Sequence, residues 1–263
     1  MPEIKNNGLI IYYEIHGSGQ PVLLIAGLGS DSASWGSIIQ GFSYHFKTII
    51  FDNRGCGRSN SPSDQYSIDE MADDAINLLN TLKIKQAHIL GHSMGGYIAQ
   101  KIAALHPDRV SKLILASTAA RPSERNNRIF SDLYKQFESG IDYEAWIRNW
   151  IPWLFSKKTI QNKQFIDAFV KGAVTYPYRQ GTNGFKGQVQ AIASFDGRGL
   201  IKNIKAETLV LEGEDDRLIT PQEARQLADE IDGSVFRLLK DTGHSIFVEN
   251  PSAVNEEVFN FLK

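Results

Sequence analysis

Five consecutive residues, Gly91-His92-Ser93-Met94-Gly95, set a serine between glycines in a G-x-S-x-G pattern. That is the spacing of a sharp strand-to-helix turn that projects a nucleophilic hydroxyl. With 22 Gly and 21 Ser in 263 residues, the pattern arises by chance about 0.15 times per chain, so its context has to decide. The context fits, because the apolar stretch 87–90 reads as a strand and 94–106 as a helix. A Cβ at Gly91 or Gly95 would collide with backbone that so tight a turn brings close. The competing reading is an ordinary serine capping a helix in a glycine-rich turn.

Such a hydroxyl needs a base to take its proton, and the base needs a partner that fixes its tautomer. Of the six His, only His244 lies beyond residue 199, in Asp241-Thr242-Gly243-His244-Ser245. Read alone, a single His is more often a surface or satisfied core residue than a catalyst. Three carboxylates, Glu214, Asp215 and Asp216, follow the apolar stretch 208–211. Serine, then acid, then histidine is the chain order of one acyl-transfer triad. The backbone N–H of Met94, directly after the serine, is an expected donor to the oxyanion that acyl transfer develops.

These groups have to be held by a scaffold. Runs rich in Ile, Leu and Val recur at 9–16, 21–26, 46–51, 87–90, 112–116, 208–211 and 234–239. Most lack polar alternation, as strands buried on both faces of a mostly parallel sheet do. Helical period fills the intervals. Ser67 and Glu70 have capping-box spacing ahead of Ile68, Met71, Ala72, Ala75, Leu78, Leu79 and Leu82 on one face. Thr220-Pro221 with Glu223 marks a second helix start, and Asn250-Pro251 a third. The alternation predicts a wound α/β sheet.

Residues 121–199 break the rhythm. They show helical pattern but no buried strand, and they hold 14 of the 27 aromatic residues and three of the four Trp. They carry 12 basic and 7 acidic residues, against 16 and 23 elsewhere. This predicts a helical insertion, 121–199, on a core of 1–120 and 200–263. Composition excludes other classes. The chain is 42% hydrophobic with a net charge of −2, so it is expected to be globular and to have no nucleic-acid partner. The single cysteine, Cys56, rules out an internal disulfide and the common thiolate zinc sites. It is expected to be a packed thiol, not a nucleophile. No His-Glu-x-x-His, clustered carboxylates or dinucleotide fingerprint appears, so neither metal nor cofactor is expected. No apolar run approaches a membrane span and no export signal opens the chain, which together predict a cytoplasmic protein with no membrane partner.

Ala26-Gly27-Leu28-Gly29, Asp52-Asn53-Arg54-Gly55-Cys56-Gly57-Arg58-Ser59, 91–96, 213–221 and 243–251, in this order, resemble the α/β-hydrolase superfamily. Within it the chain resembles small ester and lactone hydrolases: 3-oxoadipate enol-lactonases, aminoacrylate hydrolases and pimeloyl-acyl-carrier methyl esterases. The resemblance implies an eight-stranded, mostly parallel sheet flanked by helices, with a cap inserted after the sixth strand. It makes His244 the base. It selects Asp216, three residues after Gly213, as the acid, with Asp215 the second choice. It adds the Leu28 N–H as the second oxyanion donor. Ala26 stands where many members have His, so the rigidity of that loop has to come from elsewhere.

The expected protein is a cofactor-independent serine hydrolase of small carboxylic esters or lactones, working through an acyl-enzyme as a monomer or homodimer. An aminopeptidase of the proline iminopeptidase type, a carbon–carbon bond hydrolase and a non-catalytic ligand receptor remain alternatives on the same fold. Trp146, Trp150 and Trp153 are expected to line the substrate pocket. The cations Arg121, Arg125, Arg128, Arg148, Lys157 and Lys158 suggest an anionic substrate, unless they form only a solvated basic face.

Overall fold

The computed structural model describes residues 2–6 and 8–263. Eight strands form one sheet: β1 (Glu3–Asn6), β2 (Leu9–His16), β3 (Pro21–Ile25), β4 (Lys47–Phe51), β5 (Ala87–His92), β6 (Val110–Ala116), β7 (Glu207–Gly213) and β8 (Val235–Leu239). Their spatial order is β1-β2-β4-β3-β5-β6-β7-β8. The first two strands run antiparallel to their neighbours and every other pairing is parallel. The runs of Ile, Leu and Val thus became strands because both faces are covered: Leu23, Leu24, Ile89, Leu90, Ile114 and Leu115 expose nothing. Strand β1 is not foreshadowed by any apolar run. Only two of its four residues are buried, and it is a strand because it pairs with β2 from Glu3↔Tyr12 to Asn6↔Leu9.

The helices are α1 (Ile39–His45), α2 (Ile68–Thr81), α3 (Met94–Leu105), α4 (Glu124–Glu138), α5 (Tyr143–Leu154), α6 (Lys157–Gln161), α7 (Lys163–Thr175), α8 (Thr182–Ala193), α9 (Pro221–Glu230), α10 (Ile246–Glu249) and α11 (Pro251–Leu262). Helices α2, α3 and α9 pack on one face of the sheet, and α1, α10 and α11 on the other. The α2 and α9 starts are set by reciprocal capping boxes, Ser67 with Glu70 and Thr220 with Glu223, each satisfying orphan backbone donors. Between β6 and β7 the chain runs through α4 to α8 without a strand.

One buried ion pair ties the loop after β4 to α2. Arg54 meets Asp74 through Nε–Oδ2 at 2.6 Å and Nη2–Oδ1 at 2.9 Å, and the Asn6 amide completes the Asp74 carboxylate. Beside this bidentate pair, Arg54 O accepts from Gln188 Nε2 of α8 and Gly55 O from Gln180 Nε2, two residues before α8.

Candidate active site

The carboxyl ends of β3, β5, β7 and β8 converge on one place. Ser93 follows β5 with φ 54° and ψ −117°, a left-handed conformation that costs a non-glycine residue about 1–3 kcal/mol and persists only where surroundings impose it. They do so here by close approach. A Cβ on Gly95 would overlap the Ile25 carbonyl, and one on Gly91 the Gly95 carbonyl. The Ser93 hydroxyl makes no cap to α3, so the Met94 amide stays at the helix N-terminus without an internal acceptor.

His244 and Asp216 lie side by side. Nδ1 of His244 donates to Asp216 Oδ2 at 2.7 Å, and both side chains are buried. Asp216 Oδ1 accepts the Leu218 and Ile219 amides at 2.8 and 3.0 Å, so each of these partners of the carboxylate is a donor. Asp215 plays another part, since its amide bonds Thr242 O at 2.8 Å and so ties the acid loop to the histidine loop. The histidine loop is fastened at three more points. Gly243 N–H and Ser156 N–H both donate to Glu249, at 2.7 and 3.0 Å, and Ser245 N–H donates to Leu154 O at 2.8 Å.

Ser93 and His244 line one cavity of about 170 Å³ with His92, Leu28 and Trp150. It adjoins a second cavity of about 440 Å³, and Leu28, Ser30, Ser34, Trp150, Leu154 and Phe169 belong to the walls of both. The larger cavity lies under α5 and α7. Trp146 and Trp150 line it, but Trp153 lines neither cavity. The lining residues of α5 are Tyr143, Trp146, Ile147, Trp150 and Leu154, a stripe at helical spacing. Trp153 falls at its edge and packs on the core instead.

The basic residues of this segment fit the solvated-face reading. Arg128 pairs with Glu124, Arg148 with Glu144 and Asp167, and Lys158 with Asp241, while Arg125 bonds Leu218 O. None of the six expected cations lines either cavity. The cation in the larger cavity's wall is Arg179, whose Cζ lies 4.8 Å from the Tyr143 ring centroid. Cys56 is buried, and desolvation, then the Asp31 and Asp52 charges, push its thiol well above the ordinary range.

The loop 26–29 is held without the histidine that many members of the resembled family carry. Asn53 Nδ2 donates to Ala26 O, Gln188 Oε1 accepts Gly29 N–H, and Gln188 Nε2 donates to Arg54 O, each at 3.0 Å. The Leu28 amide between these anchors donates to no group among the described residues. Sequence reasoning missed Asn53, Gln188, His92 and Glu249 as parts of the site. His92 and Glu249 lie within the motifs themselves and were legible as polar residues beside the elbow and the histidine. Gln188 carries no local signal, since its partners are 159 and 134 positions away.

Among the described residues, no group of three or more His, Cys, Asp or Glu is arranged to hold a metal ion, and no helix is long and apolar enough to cross a membrane.

Known proteins share this fold. A family model described as alpha/beta hydrolase fold matches residues 20–251. The chain is 28% identical over 262 residues to a protein named "Putative carbamate hydrolase RutD" from Azorhizobium caulinodans, covering 99% of this chain and 98% of the relative. The enol-lactonase of Burkholderia xenovorans LB400 superposes with a TM-score of 0.90 at 28% identity, covering 99% of each chain. A thermophilic esterase from Thermogutta terrifontis, in a malate-bound structure, gives 0.88 at 26% identity, covering 100% of this chain and 98% of its own.

Proposed function

The chain belongs to the alpha/beta hydrolase fold family, and from that premise we propose that it is a cofactor-independent serine hydrolase of small carboxylic esters or lactones. One observation carries the reading: a serine on a strained elbow shares a cavity wall with His244, itself held by Asp216 at 2.7 Å. Three relatives similar in sequence or structure carry hydrolase names, a putative carbamate hydrolase, an enol-lactonase and an esterase, and support the reading.

In this mechanism Ser93 Oγ attacks the substrate carbonyl while His244 Nε2 takes its proton. Asp216 fixes the Nδ1–H tautomer and stabilises the imidazolium that forms. The Leu28 and Met94 amides receive the oxyanion, each contributing about 3 kcal/mol of transition-state stabilisation. His244 then protonates the leaving alcohol, and in the second half it activates the water that releases the acid from Ser93. The helices of 121–199 act as the cap. Trp146, Trp150 and Phe169 offer the apolar part of the pocket, and Arg179 receives a carboxylate carried by the substrate.

The test is a p-nitrophenyl ester series, acetate through decanoate, on wild type and Ser93→Ala, with aryl carbamates of matched size alongside. Ester turnover that peaks at one chain length and falls by at least about 10³-fold in Ser93→Ala supports the reading. Turnover of carbamates alone, or turnover untouched in Ser93→Ala, overturns it. A preference for a dicarboxylate half-ester over the neutral ester, lost in Arg179→Gln, tests the role of Arg179.

A further inference from the structure

Glu212 stands in β7, four residues before Asp216, and exposes no surface. An isolated buried carboxylate is costly unless it is paired or protonated. Glu212 Oε1 accepts one amide, Gly213 N–H, at 2.8 Å, while Oε2 receives no N–H or O–H donor. Facing it are the Asp216 carboxylate from the loop after β7, within hydrogen-bonding reach, and the Ser117 hydroxyl from the end of β6. The charge bearing on it is therefore of like sign, with His244 on the far side of Asp216.

Two buried carboxyls in contact do not both ionise. Asp216 accepts three N–H donors and Glu212 accepts one, so the shared proton belongs on Glu212. Burial first, then the charge of Asp216, push the Glu212 carboxyl well above the ordinary carboxylate range.

We propose that Glu212 is a positioning residue that stays protonated at neutral pH and donates a hydrogen bond to Asp216. Its role in turnover rests on the reading of Asp216 as the acid of a serine hydrolase. A donor behind Asp216 holds the carboxylate rotamer in which Oδ2 meets His244 Nδ1. An ionised Glu212 would instead add negative charge behind the pair.

The sign of the stability effect follows. A carboxyl whose pKa is raised on folding keeps its proton where the unfolded chain has released it, so it costs stability increasingly as pH climbs above the unfolded value. Glu212→Gln removes that cost while keeping an N–H donor. The variant is expected to match wild type in melting temperature near pH 4.5, the ordinary glutamate value, and to exceed it progressively toward neutral pH.

The deciding experiment is the infrared difference spectrum of wild type against Glu212→Gln at neutral pH without substrate. A protonated carboxylic C=O band present in wild type and missing from the variant is expected; its absence from wild type overturns the proposal. Kinetics supply the second arm. Glu212→Val is expected to lose about tenfold or more in kcat with KM little changed, and Glu212→Gln to restore most of it. A band at Glu212 with the Gln variant as impaired as Val overturns the positioning role. If Val does not fold, the band and the Gln variant's kcat still decide. Because the band is read without turnover, failure of the hydrolase reading leaves that arm untouched.

Discussion

His92 Nε2 donates to the backbone carbonyl of His244 at 3.0 Å, with the two ring centroids 5.0 Å apart. A carbonyl can only accept, so His92 carries its proton on Nε2. Burial, then the neighbouring His244, push its pKa down to about 3, which keeps the ring neutral. The residue before the serine thus holds the loop of the histidine proposed to be its base, across 152 positions.

Removing that tie leaves the His244 carbonyl unpartnered and the loop free to drift. His92→Ala is expected to lower kcat about tenfold with KM within about twofold, since a misplaced base weakens the transition state and not substrate binding. Steady-state kinetics on the preferred p-nitrophenyl ester check this. An unchanged kcat would remove His92 from the positioning set.

Acid should destabilise the fold earlier than carboxylate titration alone would. Burial pushes His92 down to about 3, and burial with Lys112 pushes His88 down to about 4, both from 6.5. Between those values the unfolded chain binds protons that the folded chain refuses, so stability falls as pH drops from 6.5 toward 4 and 3. His88 has an unpartnered buried Nδ1, and His88→Leu is expected to flatten the decline in melting temperature from pH 6.5 to 4. A slope equal to wild type would count against this assignment.

Gln188 bridges the loop bearing the Leu28 amide and the Arg54 carbonyl with one side chain. Gln188→Leu removes the acceptor of the part-buried Gly29 N–H and leaves Arg54 O with only the Tyr66 hydroxyl at 3.4 Å, at about 0.5–1.5 kcal/mol for each hydrogen bond lost. The variant is expected to lose at least about tenfold in kcat on the ester and to melt lower. Loss of stability with kcat intact would mean that the clamp is structural only.

Asp74→Ala leaves the Arg54 guanidinium buried with only the half-exposed Glu70 as an anion. Breaking a buried pair in this way costs about 3–5 kcal/mol. Urea unfolding should show the midpoint shift with little change in slope. A loss below about 1 kcal/mol would imply that Glu70 replaces Asp74.

Much of this site was legible in the order of residues. Gly91 is required by sterics within the turn, against the Gly95 carbonyl, and Gly95 by the Ile25 carbonyl of the neighbouring strand. The strands are apolar because both their faces are covered, and capping boxes announce α2 and α9 through spacings of three. Other features lacked a local cause. β1 exists only through β2, and Trp153 leaves the cavity wall by a small angle around α5 that composition does not encode.

A serine on a tight turn, a glycine-preceded histidine, a cluster of acids and the wound sheet to carry them can all be read from the order of residues. Periodicity and capping act between near neighbours and leave their mark in the order of residues. Packing in three dimensions sets the contact between Asp216, which the family resemblance singles out, and His244, places Glu212 behind Asp216, and makes His92 and Gln188 the holders of the loops. Those contacts depend on the direction in which each side chain leaves its strand or loop once β5 to β8 pack side by side with α8 above them. Hydrogen bonds spanning 28, 152 and 159 positions leave no period behind them.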